Sequence, residues 1–147
     1  MQKIRLRPRP EFILLGGFIA GTLDILFAIV FWALKANVPA TRILQSVSAG
    51  LLGKASFAGG AGTALLGLFL HFFIAITMSF TYYGLAKRWP LFHQRPWICG
   101  AVYGLGLYVV MNFIVVPVSA AMRGSTDTLW IVLSVLVHML LIGVPIA

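Results

Sequence analysis

Apolar residues fill four long stretches of the chain, at about 12–34, 62–84, 98–122 and 128–147, with almost no charge inside them. At a rise of about 1.5 Å per residue, a run of about 18 or more apolar residues crosses the ~30 Å hydrocarbon layer of a bilayer. The pattern predicts an all-α integral membrane protein with four transmembrane helices in up-down-up-down order. Between the first two stretches the period changes. Over about 40–53, Ile43, Leu44, Val47, Leu51 and Leu52 recur at helical spacing, opposite Arg42, Gln45, Ser46 and Ser48. A segment this short cannot span, so it is expected as an amphipathic helix, lying in the outer interface or dipping in as a re-entrant element, and ended by Gly59, Gly60 and Gly62. The link "RGSTD" reads as a tight turn in which Ser125 or Thr126 with Asp127 caps the last helix, making the third and fourth helices an antiparallel hairpin. No internal repeat is visible and no loop has room for a soluble domain, so residues 1–147 form a single membrane domain.

Composition supports the membrane assignment: 61% of residues are hydrophobic, 10% are charged and the mean hydropathy is +1.00, outside the range of water-soluble domains. A formal charge of +8 raises the question of nucleic acid. The basic residues instead border the spans, where the positive-inside rule accounts for them and no nucleic-acid partner is needed. Lys3, Arg5, Arg7, Arg9, Lys87, Arg88 and Arg95 fall on one side, and Lys35, Arg42, Lys54 and Arg123 on the other, which places both termini in the cytoplasm. The basic start resembles a secretory signal, but its apolar run exceeds the ~7–15 residues of a signal core, so it is read as a retained helix. In "KRWPLFHQRPW", Trp89 and Trp97 suit the headgroup region and Lys87, Arg88 and Arg95 suit anionic lipid headgroups, with His93 simply solvated. Cys99, the single cysteine, reads as a small apolar filler.

Each span carries one residue that is charged, histidine or amide: Asp24, His71, Asn112 and His138. Counted along alternating helices they lie roughly 15–21 Å from the inner edge, in one layer near the midplane. A central Asp costs about 3 kcal/mol to insert, which the apolar residues around it outweigh, yet it is not expected against lipid. Gly17, Gly21, Asp24 and Ala28 share one stripe, and Ala64, Gly67, His71 and Ala75 form another, so small residues bring backbones close around the polar groups. Tyr108 and Ser134 each stand one turn before a member of the layer, and Pro117 is expected to kink the third helix just outside it. The partner of Asp24 is expected among His71, His138, Asn112 and Tyr108.

Such a layer fits several roles. Asp24 and the histidines are the residue types that exchange protons near neutral pH, which points to proton or small-solute handling. His71 and His138 on different helices could instead ligate one b-type haem. Asp24, His71 and His138 make a weak zinc set with no local ligand pair. A packing role that fixes helix register, with a second copy or another membrane protein as partner, is the remaining alternative. No nucleotide-binding or hydrolase motif is present, so the chain reads as non-enzymatic.

"TRILQSVSAGLLGKASFAGG", "LGLFLHF" and "YGLGLYVVMNFIVVPVSA" resemble an uncharacterised family of small bacterial four-helix inner-membrane proteins. The resemblance covers most of the chain, with His71 and Asn112 inside the matching stretches. It implies a multi-pass protein of a bacterial inner membrane and implies no activity.

Overall fold

A computed structural model of the chain describes residues 10–122 and 124–147, so Lys3, Arg5, Arg7, Arg9 and Arg123 lie outside the described residues. Four helices there are long and apolar enough to cross a membrane: α1 (Pro10–Ala36), α3 (Gly60–Arg88), α5 (Pro96–Val118) and α6 (Thr128–Ile146). Two shorter helices, α2 (Ala40–Leu52) and α4 (Leu91–Gln94), sit in the connections, and no strand occurs among the described residues. Most large apolar side chains of the four long helices, such as Phe12, Phe69, Val102 and Leu140, are uncovered by protein, as lipid-facing surfaces require.

The helix ends follow local chemistry. Asn37 takes a left-handed φ of 53° after α1, and Val38 N–H reaches back to the Trp32 carbonyl at 3.2 Å, closing the last turn. Asp127 caps α6 by accepting from Trp130 N–H at 2.9 Å, while Ser125 Oγ accepts from Asp127 N–H at 3.1 Å, so the cap expected in "RGSTD" falls on Asp127. The third span is shorter than the apolar pattern predicts. Helix α5 ends at Val118, and Ser119 turns extended with ψ 174°. Residues 119–122 therefore leave the helix, and Ala120 N–H donates to the Gly50 carbonyl of α2 at 3.0 Å.

Helix α1 packs between α3 and α6, α5 packs on α6, and α2 packs on α3. Neighbours run in opposite senses. Between α1 and α3, Ser79 Oγ donates to the Ile13 carbonyl at 2.7 Å while His71 bonds Gly21 at 2.8 Å, so rising numbers on one helix meet falling numbers on the other. Between α5 and α6, Gly100 meets Gly143 and Gly104 meets His138. A Cβ at Gly104 would stand 1.9 Å from the His138 carbonyl oxygen, so the two backbones touch and only glycine fits. Gly17 and Gly21 approach Ala75 of α3 as the stripe predicts, but Gly67 faces α2, where its absent Cβ would lie 1.8 Å from the Leu44 carbonyl oxygen. The α3 stripe thus serves two partners.

Helix α2 follows the expected two-sided pattern only in part, with Arg42 and Ser46 exposed and Ile43, Leu44 and Val47 half-buried. Gln45 and Ser48, grouped by the sequence with the polar side, are buried against α3, and Leu51 and Leu52 are uncovered. A knot of hydrogen bonds explains the burial of these two residues: Gln45 Nε2 donates to the Gly60 carbonyl at 2.9 Å, Ser48 and Ser56 hydroxyls meet, Ser56 Oγ donates to the Gln45 carbonyl at 2.6 Å, and Thr63 Oγ1 donates to the Ser56 carbonyl at 2.7 Å. Where the outside is apolar, polar groups are satisfied inward.

Candidate functional site

Two of the long helices widen at their polar residues. In α5 the segment Met111–Val115, and in α6 the segment His138–Gly143, are π-helical. Each lies just before a proline, Pro117 or Pro145, whose missing N–H and bulky ring cannot complete a regular turn. The preceding residue bonds five positions back instead of four: Val116 N–H to the Met111 carbonyl, and Val144 N–H to the Met139 carbonyl. Pro117 thus disturbs the polar layer itself rather than a point outside it. Asn112 and His138 both ride on widened turns.

Between these turns, α1, α2 and α3 lies a cavity of about 340 Å3 lined by Asp24, His71, Asn112 and His138 together. The four residues chosen from the sequence converge on one space, although no two of them bond directly. His71 Nε2–H donates to the Gly21 carbonyl of α1 at 2.8 Å, His138 Nδ1–H donates to the Ser134 carbonyl at 2.8 Å, and Asn112 Nδ2 donates to the Tyr108 carbonyl at 3.0 Å. A carbonyl only accepts, so each ring nitrogen named must carry the hydrogen. That leaves His71 Nδ1, His138 Nε2 and Asn112 Oδ1 uncommitted. Asp24 has no hydrogen-bond or ion-pair partner among the described residues and opens on the cavity. The reason is chemical: a carboxylate needs donors, and backbone N–H groups in mid-helix are already bonded.

The expected partner of Asp24 is therefore not supplied by His71, His138, Asn112 or Tyr108. Tyr108 does not line the cavity. Its ring stands edge-on to His138, centroids 5.4 Å apart, and steadies the imidazole. Ser134 contributes its backbone carbonyl to His138. Among the described residues no group of three or more His, Cys, Asp or Glu side chains is placed to hold a metal ion, so Asp24, His71 and His138 do not form the zinc set considered above.

Sequence reasoning missed the outer wall. Trp32 and Trp130 line the cavity, and so do Ser46 and Val47 of α2 and Ser119 of the returning chain. Phe27 stacks on Trp130 with centroids 5.5 Å apart and planes 11° apart, and Trp32 packs against Trp130 at 5.2 Å. The spacing of Asp24, Ala28 and Trp32 at i, i+4 and i+8 puts them on one stripe and was the available signal.

Above the aromatic cluster, Lys35 Nζ bonds Asp127 Oδ2 at 2.7 Å and ties the end of α1 to the start of α6. The Lys35 ammonium, then the Trp130 N–H, hold the Asp127 carboxyl below its ordinary value of 3.8. A lowered folded value means that this contribution is complete above the unfolded value and is lost as pH falls through the folded one. Acid titration of the thermal midpoint below about pH 4 should show a loss in the wild type that is smaller in Asp127→Asn; parallel curves would assign the tie no weight.

No family model, no curated protein and no solved structure matches the chain.

Proposed function

We propose that this is a non-enzymatic membrane protein that handles protons or a small solute through the cavity around Asp24. One observation carries the reading: an unpartnered carboxylate opens on the same space as two histidines, each with one nitrogen tied to a backbone carbonyl and the other uncommitted. Groups of this kind inside a membrane domain are costly to keep, and two widened helical turns are held at the same place. A haem between His71 and His138 has less support, because His71 commits its Nε2 to Gly21 and the two rings do not offer the same nitrogen.

The setting belongs to the same proposal. Helices α1, α3, α5 and α6 cross a bacterial inner membrane in alternating directions, a reading supported by the antiparallel contacts between neighbours. Both termini lie in the cytoplasm, with Lys87, Arg88 and Arg95 near anionic headgroups. Helix α2 is re-entrant rather than interfacial, since it meets Gly67 about 10 Å along α3 from Gly60 and contributes Ser46 and Val47 to the cavity wall.

The test is flux in proteoliposomes driven by a pH gradient. Asp24→Asn keeps shape and removes the charge, so it is expected to abolish a flux that the wild type supports while leaving the far-UV helical signal intact. Unchanged flux in the variant would sink the reading. A variant that alters only thermal stability, with no wild-type flux to lose, would assign the polar layer to packing.

A further inference from the structure

Asp24 is the one Asp, Glu, Lys or Arg side chain among the described residues that line the cavity. Beside the Asp24 carboxylate, Asn112 Oδ1, His71 Nδ1 and His138 Nε2 are free to accept, while the second N–H of Asn112 and the hydroxyl of Ser134 are free to donate. The wall hydroxyls of Ser46 and Ser119 donate to the Ile43 and Val116 carbonyls at 2.6 and 2.8 Å. No Lys or Arg among the described residues lines the space. Of the three acidic residues in the chain, Asp127 is paired with Lys35 and Glu11 is exposed in the first turn of α1, so Asp24 alone brings negative charge to the interior. A ligand for such a site gains most by bringing positive charge to Asp24, and an anion would meet that carboxylate with no Lys or Arg among the described lining residues to offset it.

The walls narrow the class further. They are mostly apolar and include Trp32 and Trp130, in an aromatic cluster that begins at Phe27, one turn above Asp24. A hydrated metal ion gains little from such walls, whereas an ammonium bearing an apolar body gains both area burial and attraction to the indole faces. At about 340 Å3 the space is near the lower end of small-molecule sites, which run from about 300 to 1,000 Å3.

We infer that the cavity binds a small protonated organic amine, with its ammonium on Asp24 and its compact apolar body against Trp32 and Trp130. This rests on the solute-handling reading of the same cavity and names its substrate class.

The probes are benzylammonium and benzyl alcohol, which share a ring and size and differ in charge, titrated at neutral pH into the purified full-length protein in nanodiscs by calorimetry. Benzylammonium is expected to bind saturably, with benzyl alcohol weaker by about tenfold or more, the factor that corresponds to about 1.4 kcal/mol. Asp24→Asn should lose about tenfold for benzylammonium, Asp24→Glu should retain most of the affinity, and Trp130→Leu should lose about fivefold or more. Equal affinity for the two probes, or benzylammonium binding indifferent to Asp24→Asn, overturns the amine assignment and leaves a site for uncharged solutes. Absence of benzylammonium binding alongside an Asp24-dependent, pH-driven flux also overturns it, and leaves proton handling in place. Loss of both the flux dependence and the binding removes the two readings together.

Discussion

Gly104→Ala is expected to lower the thermal midpoint sharply, while Gly106→Ala, two residues away on the same helix, leaves it unchanged or raises it slightly. The two substitutions add the same methyl group to α5. At Gly104 the new Cβ would stand 1.9 Å from the His138 carbonyl oxygen and 2.8 Å from the Met139 Cα, whereas at Gly106 nothing lies within 4 Å. Backbone atoms cannot rotate away as a side-chain tip does, so α5 and α6 must separate along the seam that also joins Gly100 to Gly143. Overpacking of this kind costs about 1–3 kcal/mol, and the helix-propensity gain of Ala over Gly, about 1 kcal/mol, offsets only part of it at Gly104 but acts alone at Gly106. Thermal unfolding of the two variants in the same detergent measures the difference. Equal midpoints would mean that the helices do not touch there. Because the strained contact is with the first residue of the π-helical turn in α6, Gly104→Ala should also disturb the seat of His138 and weaken any flux or binding that depends on the cavity.

The number of long apolar helices and their approximate limits were legible in the sequence because a bilayer imposes a length and a polarity that few other environments do. The shared depth of Asp24, His71, Asn112 and His138 was legible for the same reason: an Asp, two His and an Asn in oily runs are conspicuous, and spans of similar length bring such residues to similar depth, whereas the tryptophans and the α2 residues of the wall carry no such mark. Three features were not legible. The burial of Gln45 and Ser48 depends on what surrounds α2. Gln45 and Ser48, at i and i+3, share a face that ends at Leu52, at i+7, so the spacing does not say which way that face turns, and only the bonds to Gly60 and between Ser48 and Ser56 settle it. The end of α5 at Val118 was hidden because Ser119 to Met122 continue an apolar composition, and the chain leaves the helix to reach α2 at Gly50, a contact distant in sequence. The unpaired state of Asp24 could not be read either, since His71, Asn112 and His138 all had carbonyls available within a turn or on a neighbouring helix, and a spacing argument does not reveal which acceptor a donor takes.

Gly67→Ala should unseat α2, because its Cβ would lie 1.8 Å from the Leu44 carbonyl oxygen and 3.3 Å from Ser48 N, with the helix held there by the bonds that bury Gln45, Ser48 and Ser56. Nothing within 4 Å opposes a Cβ at Gly62, so Gly62→Ala on the same helix is the control, expected to leave the midpoint nearly unchanged. The cost at Gly67 is about 1–3 kcal/mol, and it falls on the contact between one short helix and α3 rather than on the whole bundle. Local opening of α2 should therefore become more frequent by about tenfold for each 1.4 kcal/mol. Helix α2 supplies Ser46 and Val47 to the cavity wall, so opening exposes the space around Asp24 from that side. With Cys99 replaced by serine and the fully buried Ser48 by cysteine, a water-soluble maleimide added to the protein in nanodiscs should label the Gly67→Ala protein about tenfold faster than its parent, while Gly62→Ala labels at the parental rate. The flux ascribed to Asp24 should change in the same variant if α2 closes the outer mouth. Labelling at the parental rate, together with an unshifted midpoint, would show that α2 is not seated on Gly67 and would leave the cavity without that wall.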